Sequence, residues 1–134
     1  MNNTQYLERL KSSIRNAIIK RDESSLKEVF DELRNYRRYT SSSQTRKFLE
    51  LSKEIINSER KDLLKKIIKF NVVLDYQWKR NKLPEDIYNI YLQTIESLRQ
   101  VATDTNISDN DLEKSKEMFK SIIEMITVYL SKKD

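Results

Sequence analysis

A chain of 134 residues, 37% hydrophobic and 35% charged with a net charge of +5, predicts one compact domain spanning residues 1–134. It contains no cysteine, histidine or glycine, which excludes disulfides, thiolate or imidazole metal sites, histidine acid–base catalysis and glycine-rich phosphate cradles. Carboxylates, lysines, tyrosines and hydroxyls are what remains for chemistry, so no enzyme is expected and no metal or cofactor is called for.

Apolar residues recur at helical spacing and no segment sustains a period of two, which predicts an all-α bundle of five or six helices. The first helix, about Thr4 to Lys20, places Leu7, Leu10, Ile14, Ala17 and Ile18 on one face. A second begins at Ser25, where Ser25 and Glu28 have capping-box spacing, and carries Leu26, Val29, Phe30, Leu33 and Tyr36. Ser41 and Gln44 have the same spacing and start a third helix, running to about Asn57 and burying Phe48, Leu51, Ile55 and Ile56. A fourth, about Arg60 to Arg80, turns Leu63, Leu64, Ile67, Phe70, Leu74 and Trp78 inward. Pro84 fits the first turn of a fifth, which carries Ile87, Tyr88, Tyr91, Ile95 and Leu98 to about Val101. After a polar loop, Ser108 caps a sixth that buries Met118, Phe119, Ile122, Ile123, Ile126, Tyr129 and Leu130.

Charge is unevenly spread: residues 1–80 hold 19 Lys/Arg against 11 Asp/Glu, and residues 81–134 hold 7 against 10. The basic part points to a polyanion partner. The longest apolar run, Ile67 to Leu74, is broken by Lys69 and Asn71, and Glu8 and Arg9 precede any signal-like stretch. Neither membrane insertion nor export is therefore expected, and the plain expectation is a soluble, cytoplasmic protein.

Two cationic faces stand out. Arg46 and Lys53 lie one heptad apart, opposite the apolar side of the third helix, with Ser42 and Ser43 at its start; amide donors, hydroxyls and cations together suit a phosphate. On the fourth helix Lys65, Lys69, Tyr76 and Arg80 fall on the side away from the core, flanked by Val72 and Val73. Cations at successive turns can follow a phosphate backbone, and a tyrosine among them can stack on a base. Both groups also fit ordinary solvated helix faces, the second helped by Glu59 and Asp62 as ion-pair partners for Lys65 and Lys66. Arg34, Arg37 and Arg38 close the second helix and complement its dipole. The acids give no catalytic pattern: Asp31 and Glu32 splay apart, and Asp109, Asp111 and Glu113 sit at a helix start that favours them.

The run Ser41-Ser42-Ser43-Gln44-Thr45-Arg46-Lys47-Phe48-Leu49 resembles a motif of the small helical subunit of type III-A CRISPR effector complexes, the Csm type. That family carries a Thr-Thr-Ser-Gln-x-Arg-Lys-Phe-like run at a helix start. Leu74-Asp75-Tyr76-Gln77-Trp78-Lys79-Arg80 is similar to its Leu-x-Tyr-x-x-x-Arg segment, and Met118-Phe119 to Val128-Tyr129 to its closing helix, so the likeness covers about Ser41 to Lys133. Ser41 and Ser42 replace threonines, and the chain lacks the family's glycine-containing lysine tail. The resemblance implies a non-catalytic subunit in two or more copies, stacked along guide RNA and target RNA beside other effector-complex subunits, touching target RNA through a basic face. Its motif positions correspond to Arg46, Lys47 and Arg80; the cationic spacing adds Lys53, Lys69 and Lys79. Two alternatives stand beside it. One is a scaffold of the GINS replication type, loosely similar over Glu59 to Ile68 and Leu83 to Tyr88, and the other a viral helical nucleoprotein.

Overall fold

Helical periodicity separated by polar caps yields six helices in the computed structural model, which describes residues 3–132. They are α1 (Asn3–Ile19), α2 (Glu23–Arg34), α3 (Ser42–Ile56), α4 (Arg60–Lys79), α5 (Glu85–Ala102) and α6 (Asp109–Tyr129). Among the described residues there is no strand, and the all-α expectation holds. An isolated parallel bridge joins Thr40 to Ser131. There the Thr40 amide donates to the Leu130 carbonyl at 2.8 Å and the Lys132 amide to the Thr40 carbonyl at 2.8 Å. This ties the α2–α3 connection to the chain leaving α6.

Two of the three expected serine caps form. Ser41 accepts from the Gln44 amide and Ser108 from the Asp111 amide, each satisfying one orphan donor of its helix. The Ser41 box is one-sided, because Gln44 turns inward and donates to Gln77 Oε1 at 3.2 Å. The Ser25 cap is corrected to Asp22. Its carboxylate accepts from the Ser24 amide at 3.2 Å and from the Ser25 hydroxyl at 2.7 Å, so α2 starts two residues earlier than Ser25. Those serine hydrogen bonds hold the Asp22 carboxyl below the usual carboxylate range. Glu28, the supposed box partner, accepts instead from Ser13 of α1 at 2.8 Å.

With no glycine available, two non-glycine residues take the left-handed conformation, Arg21 (φ 55°) and Asn81 (φ 58°). Asparagine tolerates that region through its short polar side chain, whereas arginine needs outside support. Arg21 has it: its guanidinium donates to the Ile19 carbonyl at 3.1 Å and to Ser115 Oγ at 3.2 Å, while Ser115 donates to the Ile18 carbonyl at 2.7 Å. The end of α1 is thereby pinned to α6.

Neighbouring helices run in the ring order α1, α2, α6, α3, α4, α5 and back to α1, with α6 also touching α1 and α5. Phe48, Phe70, Tyr91 and Phe119, one each from α3, α4, α5 and α6, meet in the core with ring centroids 4.6–6.3 Å apart. Leu10, Ile14, Ala17 and Ile18 of α1 and Val29 and Leu33 of α2 complete the same fully buried cluster. The Tyr91 hydroxyl is buried without a hydrogen-bond partner among the described residues, and burial drives its pKa far upward. Burying an unpaired hydroxyl costs about 1–3 kcal/mol. Tyr91→Phe is therefore expected to stabilise the protein by about 1 kcal/mol in urea unfolding, and a loss of stability would reveal a partner for that hydroxyl.

The inward set of α4 also needs correction. Leu64 is 39% exposed, and Trp78 is half-buried at the rim, stacked on Tyr88 of α5 at 4.9 Å and 15°. α4 packs along α3 and α5 and reaches α6 through Phe70 on Phe119 and Arg60 on Asp109, while Leu64, Ile68, Val72 and Tyr76 on its other side stay exposed. No described helix is long and apolar enough to cross a membrane.

Candidate nucleic-acid interface

All six expected site residues, Arg46, Lys47, Lys53, Lys69, Lys79 and Arg80, are exposed and fall into two groups. Helices α3 and α4 make an antiparallel hairpin. Gln44 meets Gln77, Phe48 meets Phe70, and Glu54 meets Lys69 at 3.0 Å and Lys66 at 3.5 Å. The start of α3 therefore lies beside the end of α4. Lys47 stands one heptad before Glu54 on the same edge of α3, and the Glu54 pairs identify that edge as the one facing α4. Lys47 thus borders the α4 face that carries Lys69, Lys79 and Arg80. Arg46 and Lys53 share the neighbouring face of α3, turned away from α4.

The cations differ in how far they are already committed. Arg46, Lys47 and Lys79 form no ion pair among the described residues, and Lys53 pairs only with Glu50 at 3.1 Å on the open surface. Exposed pairs of that kind contribute at most about 1 kcal/mol and release their cation readily. Lys69 is the most neutralised of the six. Its hydrogen bond holds the Glu54 carboxyl below the usual range, after some opposition from burial, with Lys66 adding to the effect. Arg80 is held differently: its guanidinium carbon lies 5.3 Å from the centroid of the Tyr76 ring, and Nη1 reaches the Tyr76 hydroxyl at 3.5 Å. That contact orients Arg80 and leaves its charge intact.

The expected pairing of Lys65 with Glu59 or Asp62 does not form among the described residues; Glu59 pairs with Lys61 at 3.5 Å. Lys65 therefore stands as a further uncommitted cation on the outward face of α4. Apolar side chains share that face: Ile68 is 50%, Val72 61% and Tyr76 55% exposed. The signal for this row was present in the spacing of residues 64, 68, 72 and 76. The sequence places Val72 and Tyr76 on this side, but Leu64 is expected inside and Ile68 has no assignment, because α4 carries apolar residues on both of its faces.

At the α3 start, Ser41 Oγ accepts from the Gln44 amide at 3.3 Å and shares a 3.1 Å hydrogen bond with Ser43. The hydroxyl of Thr45 is occupied too, by the Ser42 carbonyl at 3.1 Å and by Ser131 at 3.0 Å. The serine cluster therefore serves the helix end, and the cations are what this segment offers to a ligand. Of the third basic group, Arg38 pairs with Asp86 at 3.4 Å and Arg34 lies over the Phe30 ring at 5.8 Å. Both are tied to the fold, whereas Arg37 is exposed and unpaired among the described residues. Lys133, the far limit of the resemblance, lies outside the described residues.

Several of the acids are drawn into structural pairs. Asp109 accepts from Arg60 at 2.7 Å, and Asp111 lies 3.9 Å from Arg21. Asp86 accepts from the Tyr36 hydroxyl at 2.6 Å, and Asp75 from the Tyr88 hydroxyl at 2.8 Å. Burial first, and then these carboxylates, push the tyrosines up: Tyr88 to about 12 and Tyr36 further. Among the described residues no three acidic side chains converge as a metal ion would require. Comparison with protein-family models, curated proteins and solved structures finds no match to this chain.

Proposed function

We propose that the protein is a non-catalytic RNA-binding subunit that engages the RNA backbone through the cations of α3 and α4. The observation that carries this reading is the set Arg46, Lys47, Lys65, Lys79 and Arg80, which are exposed and free of ion pairs among the described residues, while Asp75, Asp86, Asp109 and Asp111 are engaged by other side chains. Charge held out to solvent without an internal partner is available to phosphates, and phosphate contacts position a ligand without reading its sequence. The pairs of Asp86, Asp109 and Asp111 leave these carboxylates poorly placed to exchange protons with a substrate.

The more specific form of the reading is the small subunit of a type III CRISPR effector complex, and it rests on the resemblance of Ser41 to Leu49 and Leu74 to Arg80. In that role the protein is cytoplasmic, stands beside other effector subunits and copies of itself, and lines guide RNA and target RNA. The test is purification of the tagged chain from its own host, followed by identification of bound RNA and co-purifying proteins. Effector-complex subunits and RNA should be recovered together. RNA affinity should fall about 10- to 100-fold between 50 and 200 mM salt for three or four phosphate contacts. Recovery of replication or capsid proteins, or an affinity indifferent to salt, would overturn the reading.

A further inference from the structure

We infer that the outward face of α4 takes single-stranded nucleic acid, with Tyr76 as the platform for an unpaired base; this rests on the RNA-binding reading and names the form of RNA it accepts. Ile68, Val72 and Tyr76 form a solvent-facing row, each at least half exposed, over three successive helical turns. A patch of phosphate-binding cations alone needs no such row. On the same face stand Lys65, Lys69, Lys79 and Arg80, so apolar and cationic side chains alternate along one exposed surface of the helix.

A duplex meets this face poorly. It presents phosphates to the cations but keeps the flat faces of its bases stacked inside, leaving Ile68, Val72 and Tyr76 against a polar backbone. A single strand supplies both chemistries, phosphates for Lys65, Lys79 and Arg80 and an apolar base face for Tyr76 and the aliphatic row. Arg80 makes Tyr76 suitable for this use, because its guanidinium stands 5.3 Å from the ring centroid and reaches the hydroxyl at 3.5 Å. The ring is thereby oriented before a ligand arrives, and a cation stands where the phosphate beside a stacked base needs one.

Charge complementarity favours a polyanion over a neutral apolar partner. The nearest acid in sequence, Asp75, is turned toward α5, where it accepts from Tyr88 at 2.8 Å. On the opposite side Glu54 offsets Lys69 and Lys66, which leaves Lys65, Lys79 and Arg80 to define the positive track. An acidic amphipathic helix from a protein is the competing occupant, but it would not use the flat ring face that Arg80 holds in place.

The test measures anisotropy of a labelled 15-nucleotide oligouridylate and of a 15-base-pair RNA duplex with the full chain and with Tyr76→Ala, Tyr76→Phe and Arg80→Ala. The single strand should bind more tightly than the duplex. Tyr76→Ala should weaken it about tenfold or more and leave duplex affinity and the salt slope unchanged, while Tyr76→Phe retains most of the binding. Equal affinity for both RNAs, or no effect of Tyr76→Ala on the single strand, overturns the inference. If Arg80→Ala weakens binding while Tyr76→Ala does not, backbone binding stands and only the stacking role falls. If neither RNA binds, both fall. Loss of co-purifying protein on Tyr76→Ala, with RNA affinity unchanged, would assign the face to a protein and likewise overturn it. Because Tyr76 is 55% exposed, unchanged thermal unfolding of these variants is the accompanying control.

Discussion

Phe48→Ala is expected to lower stability by about 3–5 kcal/mol, the range for truncating a buried aromatic side chain. Phe48 is fully buried, with its ring 4.6 Å from Tyr91 and 5.3 Å from Phe70. It joins α3 to α4 and α5 at the point where the helix pairs converge. Two terms add in the loss. One is the transfer of the ring out of the core together with the cavity left behind; the other is the aromatic contacts, about 0.5–1.5 kcal/mol beyond area burial. Against a total stability of about 5–15 kcal/mol, the variant should melt on the order of 10–20 °C lower. Val72→Ala, at a position 61% exposed, should stay within about 0.5 kcal/mol. Thermal and urea unfolding of the two variants check the assignment of core and surface together. A small effect at Phe48 would mean that the aromatic cluster does not close the bundle.

Burial of Phe48, Phe70 and Phe119 was legible in the sequence because each sits where the helical period puts an inward residue. Ser41 was legible from Gln44 at capping-box spacing, and Ser108 from its place between the polar loop and the last apolar period. Asp22 was not, because Ser25 followed by Glu28 imitates a cap, and only the turn through Arg21, held by Ser115 of a distant helix, moves the start of α2 back. Leu64 was misread because α4 has apolar residues on two faces, and which face lies inside depends on how α4 is placed against α3, α5 and α6. Pairing of Thr40 with the chain after α6 spans most of the sequence and leaves no local trace.

The candidate site divides in the same way. Exposure of Arg46, Lys53, Lys69 and Arg80 follows from spacing alone, since each stands opposite an apolar face. Which of these charges is free does not. Lys69 is offset by Glu54, fifteen residues away, and that pair exists only through the register of the α3–α4 hairpin. Lys65 was assigned acidic partners from helical spacing that it does not take up, since Glu59 pairs with Lys61. Exposure is thus a property of one helix and can be read from it, whereas neutralisation belongs to a pair of helices and needs their relative placement.

Arg46→Ala combined with Arg80→Ala should lower RNA affinity roughly tenfold for each charge-assisted contact removed while leaving the fold intact. Arg46 has no ion pair among the described residues, and Arg80 touches only the exposed Tyr76 ring. The stability cost should therefore stay near the about 0.5–1 kcal/mol of an exposed cation–π contact. The two residues lie in different groups, Arg46 on the face of α3 turned from α4 and Arg80 at the end of α4, so their effects should be nearly additive. Because each phosphate contact releases counterions, a plot of log affinity against log salt should become shallower by about one unit per contact. A double variant that binds RNA as before would make these arginines ordinary solvated charges. A lowered melting temperature with unchanged affinity per folded molecule would make them structural. If Arg80→Ala alone carries the whole effect, the interface is confined to the α4 side and Arg46 with Lys53 lies outside it. Measuring melting temperature, affinity and salt slope on the two single variants and the double variant separates these outcomes, because folding, contact number and contact position each move a different observable.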